Sequence, residues 1–500
     1  MSAGRALRPP MTARRRPSRT LRRWGPLVAL TALALIAWNR AAAADSDNAR
    51  LEPLVYDQNL STPVLSARRV PQTLQAPIAQ AALTPALDAV VAASPAGSCL
   101  VVSDDGRVLS EYSPSMSLVP ASNQKLVTTW AALGLLDPTT RFRTTVRADS
   151  TAVDGVVNGN LYLVGGGDPF LAVDTWWSQY SESEGRAKTR LEDLADAVVA
   201  TGVRAVTGAI VGDESFFDSQ RTGPWAERLI ISDQSGPLSA LAVNENFVAW
   251  PPTFDGSFSP RIPSVDPPLD AARVFGELLV ARGVTVGAPT AGVAPSTAVE
   301  LAAIDSPPLV EIITHINSYS DNFGAELLLK HIGRQVSGVG TTVAGAQAVA
   351  GFAAQSGLPM DGVTITDGSG LSEANVTTCR FFASLLESSV DASGNEVSPL
   401  VSSLSIGGQR GSLIGRWVGT SLVGHVYAKT GTLNDVTALS GVVNSLSDSD
   451  KSLVFSYLVN GELVGVDEAI RGLQTPLVEA LAAYPSAPGL DALAPIAPTK

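Results

Sequence analysis

The stretch HVYAKTGTLNDVTALSGVVN, residues 425–444, decides the fold. It contains two runs rich in β-branched residues, 425–433 and 437–444, with a short polar turn between them. A third such run follows at 452–460, and residues 465–484 have the pattern of a helix. Short connections between successive strands are typical of an antiparallel meander. The C-terminal part is therefore predicted to form an antiparallel sheet followed by a helix.

The first of these strands carries Lys429-Thr430-Gly431-Thr432. A strand glycine permits close approach of a ligand, so an extended substrate could add to this strand edge. Lys429 and Thr430 offer a cation and a hydroxyl for a terminal carboxylate. The N–H of Thr432, together with that of Ser122, is a candidate oxyanion hole. Taken alone, K-T-G is equally typical of an ordinary strand-end turn.

Two further motifs precede this strand in the chain. Ser122 and Lys125 stand at i and i+3 near the start of a predicted helix, so their side chains share a face. A serine hydroxyl needs a neighbouring base to become a nucleophile, and a lysine made neutral by burial or by a nearby cation is such a base. Ser320-Asp321-Asn322 precedes another helix, with Ser320 as a candidate proton relay and Asn322 as a candidate partner of the substrate amide or the lysine. Each motif alone also fits an ordinary helix cap.

The three motifs together are more specific than any one of them. Their order, S-x-x-K, S-D-N and K-T-G, is that of β-lactamases and penicillin-binding proteins. A Ser-His-Asp hydrolase is a weaker alternative, because the chain has only His315, His331 and His425 and lacks a G-x-S-x-G elbow. His425 lies four residues before Lys429 on the predicted strand and therefore on the same face.

The chain resembles one family well beyond these motifs, the class C, low-molecular-mass penicillin-binding proteins, or DacB-type D-alanyl-D-alanine carboxypeptidases. The stretches that carry the resemblance are SNQK (122–125), SYSDNFGAELLLK (318–330), DGSGLSEAN (367–375) and YAKTGTLNDVTALSGVV (427–443). One residue departs from the family's pattern, since Glu373 stands where the family usually has Arg.

The resemblance implies an α/β fold of the β-lactamase/transpeptidase type, with an antiparallel sheet flanked by helices and the active site at the K-T-G strand. Ser122 and Ser320 are 198 residues apart, so a large β-rich insertion of one or two subdomains is expected at 149–304. It would divide a catalytic domain into 81–148 and 305–485.

The resemblance also implies the activity, a serine-type D-Ala-D-Ala carboxypeptidase, with endopeptidase cleavage as an open addition. Peptidoglycan stem peptides are the expected substrates and β-lactams the expected covalent inhibitors, both through a Ser122 acyl-enzyme. No cofactor and no metal are expected. The alternatives are a β-lactamase or esterase on the same scaffold and a non-catalytic peptidoglycan-binding protein. The expected catalytic residues are Ser122, Lys125, Ser320, Asn322 and Lys429, and the expected substrate-binding residues are Thr430, Gly431 and Thr432.

The first 44 residues are typical of an export signal. They hold nine Arg and no acidic residue, an apolar run at 27–38 that is shorter than the roughly 20 residues of a membrane span, and alanines at 41–44. They are either a cleaved signal peptide or an uncleaved anchor, and either way the body is expected in the cell envelope, the periplasm or outside the cell. Removing nine positive charges from a formal net charge of −12 leaves −21, which excludes a nucleic-acid partner and limits membrane contact to a possible anchor.

The two terminal segments of the exported body and its two cysteines allow further expectations. Residues 45–80 are polar and contain proline, which is typical of a linker, with a short helix beginning only at Thr84. Residues 486–500 are rich in Pro and Ala and are expected to form a flexible tail. Cys99 and Cys379 either form a disulfide in an oxidising compartment or remain two separate thiols.

Overall fold

The computed structural model describes residues 30–37, 40, 71–180, 186–252, 261–389, 398–448, 450–461 and 467–485. The chain divides into two compact units, one of residues 1–70 with 494–500 and the other of residues 71–493. In the first unit, residues 30–37 are helical and exposed. The rest of the predicted signal or anchor, apart from residue 40, lies outside the described residues. So do residues 45–70 of the predicted linker and the predicted tail.

The second unit contains two main sheets and a set of surrounding helices. The strands are β1 (Ser98–Asp104), β2 (Arg107–Tyr112), β3 (Arg143–Ala148), β4 (Val156–Val157), β5 (Leu161–Val164), β6 (Leu171–Ala172), β7 (Thr189–Arg190), β8 (Ala205–Val206), β9 (Ile210–Asp213), β10 (Phe247–Ala249), β11 (Ile262–Pro263), β12 (Pro289–Ala291), β13 (Val299–Asp305), β14 (Ser405–Ile406), β15 (Val426–Leu433), β16 (Val436–Asn444) and β17 (Ser452–Asn460). The α-helices are α1 (Pro71–Ala93), α2 (Gln124–Leu135), α3 (Asp174–Trp177), α4 (Leu191–Ala200), α5 (Arg228–Ile231), α6 (Pro267–Ala281), α7 (Leu309–Tyr319), α8 (Asn322–Ser337), α9 (Thr342–Gln355), α10 (Cys379–Glu387), α11 (Pro399–Ser402) and α12 (Asp467–Ala482).

The first sheet has six strands in the order β14-β15-β16-β17-β1-β2, and every pairing is antiparallel. The three C-terminal strands were predicted within one residue of their observed ends. Asp105 and Gly106 form the turn between β1 and β2, and both residues have positive φ, as the tight turn of a two-residue hairpin requires.

Helices cover both faces of the first sheet, because successive side chains of a strand point to opposite sides. On β1, Leu100 and Val102 belong to the core that contains α1 and α12, whereas Cys99 and Val101 belong to the core that contains α2 and α10. The expected fold, an antiparallel sheet flanked by helices, is therefore confirmed.

Helix α1 begins earlier than the sequence pattern suggests. The predicted linker was wrong for residues 71–80, which are helical, and Thr84 lies inside the helix rather than at its start. The physical reason is a buried stripe at helical spacing that outweighs the two prolines within the helix. The stripe consists of Ala79, Leu83, Leu87 and Val90. Residues 76–93 would suit a membrane span by length and composition alone, but this stripe packs into the core of the first sheet.

The second sheet lies in the segment that separates the motifs. Its order is β12-β9-β5-β3-β13, with β12, β9 and β5 parallel and the last two strands antiparallel. It extends from Arg143 to Asp305, so its first strand precedes the expected boundary at residue 149. The division into a split catalytic domain and an insertion stays a prediction.

Cys99 and Cys379 form a disulfide, which resolves the alternative that the sequence leaves open. Cys99 lies on β1 and Cys379 is the first residue of α10, with their Cα atoms 5.9 Å apart and both residues fully buried. The bond ties the first sheet to a helix that covers it, across a sequence separation of 280 residues.

Replacing both cysteines by alanine is expected to lower the free energy of unfolding by about 2–5 kcal/mol, because a cross-link over a long loop restricts the unfolded chain. Denaturant titration measures the loss. A reducing agent should weaken the wild type similarly and leave the double variant unchanged. Equal unfolding midpoints for the two proteins would contradict this expectation.

Candidate active site

Ser122 lies on a tight turn that leads into α2. The turn is a single 3₁₀ element, Ala121–Asn123, and Ala121 has a positive φ of 47°. The Asn123 amide donates to the Ser440 hydroxyl at 2.8 Å, which anchors the turn to the middle of β16. Ser122 is therefore held above the centre of the first sheet, two residues before α2 begins.

Lys125 follows one turn later and is completely buried. Its Nζ lies 3.0 Å from Ser122 Oγ, within hydrogen-bonding distance. Burial lowers the pKa of Lys125 to about 8, and the carboxylates of Asp321, Asp367 and Glu326 act in the opposite direction. A lysine with this pKa is neutral in about a tenth of molecules at pH 7, so it can accept a proton from the hydroxyl.

Two further groups fix the Lys125 ammonium in place. The Nζ donates to Asn322 Oδ1 at 2.6 Å and to the Ser369 carbonyl at 2.7 Å. The Asn322 amide in turn donates to the carbonyl of Gln234, at 2.7 Å, in the segment between β9 and β10. The amine of Lys125 is thus aimed at Ser122 by partners from three separate parts of the chain.

The S-D-N motif forms the junction between α7 and α8. Ser320 has a left-handed backbone, with φ 59° and ψ 37°, and ends α7. Asp321 caps the next helix by accepting the Gly324 N–H at 3.0 Å. This break turns the Ser320 hydroxyl towards β15, where it accepts a hydrogen bond from Lys429 Nζ at 2.9 Å.

Lys429 is the second fully buried lysine of the site. Burial lowers its pKa well below the ordinary lysine value, and the nearby charge of Lys125 acts in the same direction. The amine also donates to the Thr430 carbonyl at 2.9 Å. The structure therefore brings Ser122, Lys125 and Asn322 into one hydrogen-bonded group and Ser320 and Lys429 into a second group beside it.

Gly431 allows β15 to pass beneath the turn that carries the nucleophile. A Cβ atom on this residue would lie 2.8 Å from the Pro120 carbonyl oxygen and 3.2 Å from the Asn123 nitrogen. Gly431 was expected to allow close approach of a ligand, whereas the atoms observed close to it belong to the protein's own backbone. The glycine thus sets the distance between the K-T-G strand and Ser122.

The outer edge of β15 presents backbone groups to the site. The His425 carbonyl accepts from Asn444 of β16, and the Val426 carbonyl accepts from Gly407 on the opposite side. Because these directions alternate along an antiparallel strand, the N–H groups of Thr430 and Thr432 point away from β16. The partner strand on that side, β14, reaches only Tyr427 and Ala428, so among the described strands none pairs with this part of the edge.

Most of the chain matches one family of known proteins. Residues 74–257 and 252–484 match the D-Ala-D-Ala carboxypeptidase 3 (S13) family. The chain belongs to this family.

The relatives support the assignment to the S13 family, and a solved structure supports the fold. The chain is 30% identical over 448 residues to a D-alanyl-D-alanine carboxypeptidase of Actinomadura sp., covering 75% of this chain and 79% of the relative. It is 29% identical over 430 residues to a carboxypeptidase of Mycobacterium tuberculosis, covering 81% and 88%. The crystal structure of penicillin-binding protein 4 from Haemophilus influenzae superposes with a TM-score of 0.65 at 21% identity, over 78% of this chain and 99% of that one.

Several groups of this S13 site were not found by sequence reasoning. The Ser369 carbonyl binds Lys125, and Ser412 Oγ lies 2.8 Å from Thr430 Oγ1 at the exposed end of the site. Glu326 is buried behind Lys125. Its spacing of four residues from Asn322, which places both on one face of a helix, was the one sequence feature that could have indicated its proximity to the site. Glu373, the residue that departs from the family's pattern, is exposed.

The histidines give no support to a Ser-His-Asp hydrolase. Nε2 of His331 lies 3.0 Å from the Gly167 carbonyl, and burial lowers the pKa of this histidine to about 3. Burial also lowers the pKa of His315, which packs against Phe170. His425 precedes β15, and Ser122 has Lys125 rather than a histidine as its hydrogen-bond partner.

Metal-binding residues are not clustered in the described part of the chain. No group of three or more His, Cys, Asp or Glu residues there could hold a metal ion. Two acidic residues in the second sheet's loops accept backbone hydrogen bonds within turns. Asp168 accepts the Phe170 N–H and Asp213 accepts the Ser215 N–H. The expectation that the enzyme needs no metal or cofactor stays a prediction.

Gly431→Ala is expected to lower the free energy of unfolding by about 1–3 kcal/mol, because the added methyl group meets the Pro120 backbone. Gly415→Ala is the matched control, since a Cβ there meets nothing within 4 Å, and its effect should stay within about 0.5 kcal/mol. Denaturant unfolding of both variants measures the difference. Equal effects would show that β15 is not held close to the turn.

Proposed function

We propose that the protein is a serine-type D-Ala-D-Ala carboxypeptidase that cleaves peptidoglycan stem peptides through an acyl-enzyme on Ser122. The observation that carries this proposal is the 3.0 Å contact between Ser122 Oγ and the buried amine of Lys125. Membership of the S13 family supports the reaction, and the names of the relatives support the substrate class. The intact set of motif residues argues against the alternative of a non-catalytic binding protein.

Acylation begins when the neutral form of Lys125 takes the proton from Ser122. The alkoxide attacks the carbonyl carbon of the penultimate D-alanine, and the carbonyl electrons move onto its oxygen. The N–H groups of Ser122 and Thr432 are the proposed oxyanion hole, and the outward direction of the Thr432 N–H supports that role. Asn322 holds Lys125 and orients the substrate amide.

The leaving D-alanine needs a proton and a partner for its carboxylate. Ser320 relays to the departing amine the proton that Lys125 took from Ser122, which leaves Lys125 neutral again, and Lys429 stays hydrogen-bonded to Ser320. Lys429 and Thr430 bind the terminal carboxylate. Burial disfavours the charged form of Lys429, whereas a bound carboxylate would favour it. Substrate binding would therefore promote protonation of Lys429.

Water then attacks the acyl-enzyme, with Lys125 again as base, and releases the shortened peptide. If the departing amine belongs to the side chain of a neighbouring stem peptide, the same steps constitute endopeptidase cleavage. A β-lactam presents its ring amide to Ser122 in the same way and leaves a slowly hydrolysed acyl-enzyme. The Arg-rich, apolar N-terminus supports action outside the cytoplasmic membrane.

Ser122→Ala is expected to abolish release of D-alanine from an acyl-D-Ala-D-Ala peptide, because Ser122 supplies the only hydroxyl that is hydrogen-bonded to the Lys125 amine among the described residues. The exposed Ser115→Ala is the matched control and should retain full activity. An assay for free D-alanine measures both variants. Rapid turnover of a chromogenic cephalosporin by the wild type, with no D-alanine release, would favour the β-lactamase alternative.

The acylation rate constant kcat/KM is expected to rise with pH and to level off above about 8, because the pKa of Lys125 is lowered to about 8 and only its neutral form accepts the Ser122 proton. At lower pH the amine is protonated and the rate falls, by about tenfold per pH unit well below the midpoint. Stopped-flow acylation by a fluorescent penicillin between pH 6 and 10 measures the profile. A rate that falls as the pH rises through 8 would contradict Lys125 as the base.

A further inference from the structure

Glu326 lies directly behind the catalytic lysine and has no part in the mechanism described above. It stands on α8, four residues after Asn322, and its side chain is completely buried. Its Oε1 accepts the Ser369 N–H at 3.0 Å. The carbonyl of the same Ser369 accepts a hydrogen bond from Lys125 Nζ at 2.7 Å. One residue thus connects the buried carboxylate to the amine that faces Ser122.

The loop around Ser369 is closed by its own hydrogen bonds, and Glu326 ties it to α8. Asp367 accepts the backbone N–H groups of Gly370 at 2.8 Å and of Ser372 at 2.7 Å, which closes the turn internally. These contacts lie within the loop and do not fix its distance from α8. The bond from Ser369 to Glu326 joins the loop to the helix that also carries Asn322.

A neutral side chain could accept the same hydrogen bond from the Ser369 N–H with a smaller unfavourable free energy of burial. Burying an ionised carboxylate is far less favourable than burying an amide that accepts the same hydrogen bond. Glu326 Oε2 has no hydrogen-bond partner among the described residues, so hydrogen bonding alone does not account for a charged group here. Burial, helped by the nearby Asp367, raises the pKa of Glu326 to about 8, and the charge of Lys125 acts in the opposite direction, so the ionised form of Glu326 is favoured when Lys125 is protonated.

The charged groups around the Lys125 amine can be named completely for the described residues. Asp321, Asp367 and Glu326 favour its charged form, whereas the nearby Lys429 would disfavour it whenever Lys429 is protonated. Asp321 caps α8 and Asp367 closes the loop, so each has a separate structural task. Glu326 differs from both, because its carboxylate accepts the Ser369 N–H and also favours the charged form of Lys125.

We propose that Glu326 is a positioning residue for acyl transfer: it fixes the Ser369 carbonyl against Lys125 and supplies a negative charge that sets the protonation of this lysine. The proposal rests on the proposed function of Lys125 as the base. It predicts two separable effects, one on the position of the amine and one on the pH dependence of acylation.

The test compares Glu326→Gln and Glu326→Ala with the wild type in acylation by a fluorescent penicillin from pH 6 to 10. Glu326→Gln keeps an acceptor for the Ser369 N–H but removes the charge, so its pH midpoint should move down by at least about half a unit while the plateau rate is largely retained. Glu326→Ala also removes the tie, so its plateau should fall by about 10- to 100-fold.

Glu387 supplies the matched control. Its carboxylate also accepts a backbone N–H, that of Gly106 at 2.8 Å, but it does so at the β1–β2 hairpin, where Lys125 is not among its partners. Glu387→Ala should lower the melting temperature and leave both the pH midpoint and the plateau rate unchanged. This control separates a general loss of stability from an effect on the base.

The proposal is overturned if Glu326→Gln keeps the wild-type pH midpoint, or if Glu326→Ala keeps a plateau rate within twofold of the wild type. If Glu326→Ala does not fold, the midpoint of Glu326→Gln decides alone. Failure of the proposed function would look different, because the wild type itself would then lack acylation at Ser122 or a pH midpoint attributable to Lys125.

Discussion

The Lys125 amine has no contact with bulk water, and this constraint governs the rest of the site. Removing an ammonium group from water is unfavourable, so the protein must surround it with acceptors and carboxylates or let it lose its proton. The structure does both, because the amine has three oxygen partners and a pKa lowered to about 8. One of those oxygens is the Ser122 hydroxyl, and an amine whose charged form is disfavoured by burial can take that proton in its neutral form.

The scaffold explains how groups that are far apart in sequence reach this amine. Strand β15 runs beneath the turn of Ser122 because Gly431 has no side chain to meet the Pro120 carbonyl. The left-handed Ser320 ends one helix and lets the next begin, so one short junction delivers a hydroxyl to Lys429 and an amide to Lys125. The second sheet's segment contributes a carbonyl that holds this amide.

The sequence alone predicted the parts of this arrangement that depend on local pattern. The three C-terminal strands followed from β-branched runs and the site from three motifs, which the structure brings together. Residues 71–80 were mistaken for a linker because proline is typical of irregular segments. The burial of one side of α1 becomes evident only when the helix packs on the sheet. The roles of Ser369 and Glu326 could not be predicted, because they depend on contacts between a loop and a helix 43 residues apart. The same applies to the pairing of Cys99 with Cys379, which sequence left undecided.

The central claim is that the hydroxyl beside the buried amine is the group that becomes acylated. Incubating the full chain with benzylpenicillin, followed by proteolysis and peptide mapping by mass spectrometry, tests it most directly. The account predicts one penicilloyl adduct per molecule, located on Ser122. An adduct on any other residue, or an unmodified Ser122 in a folded protein, would contradict it.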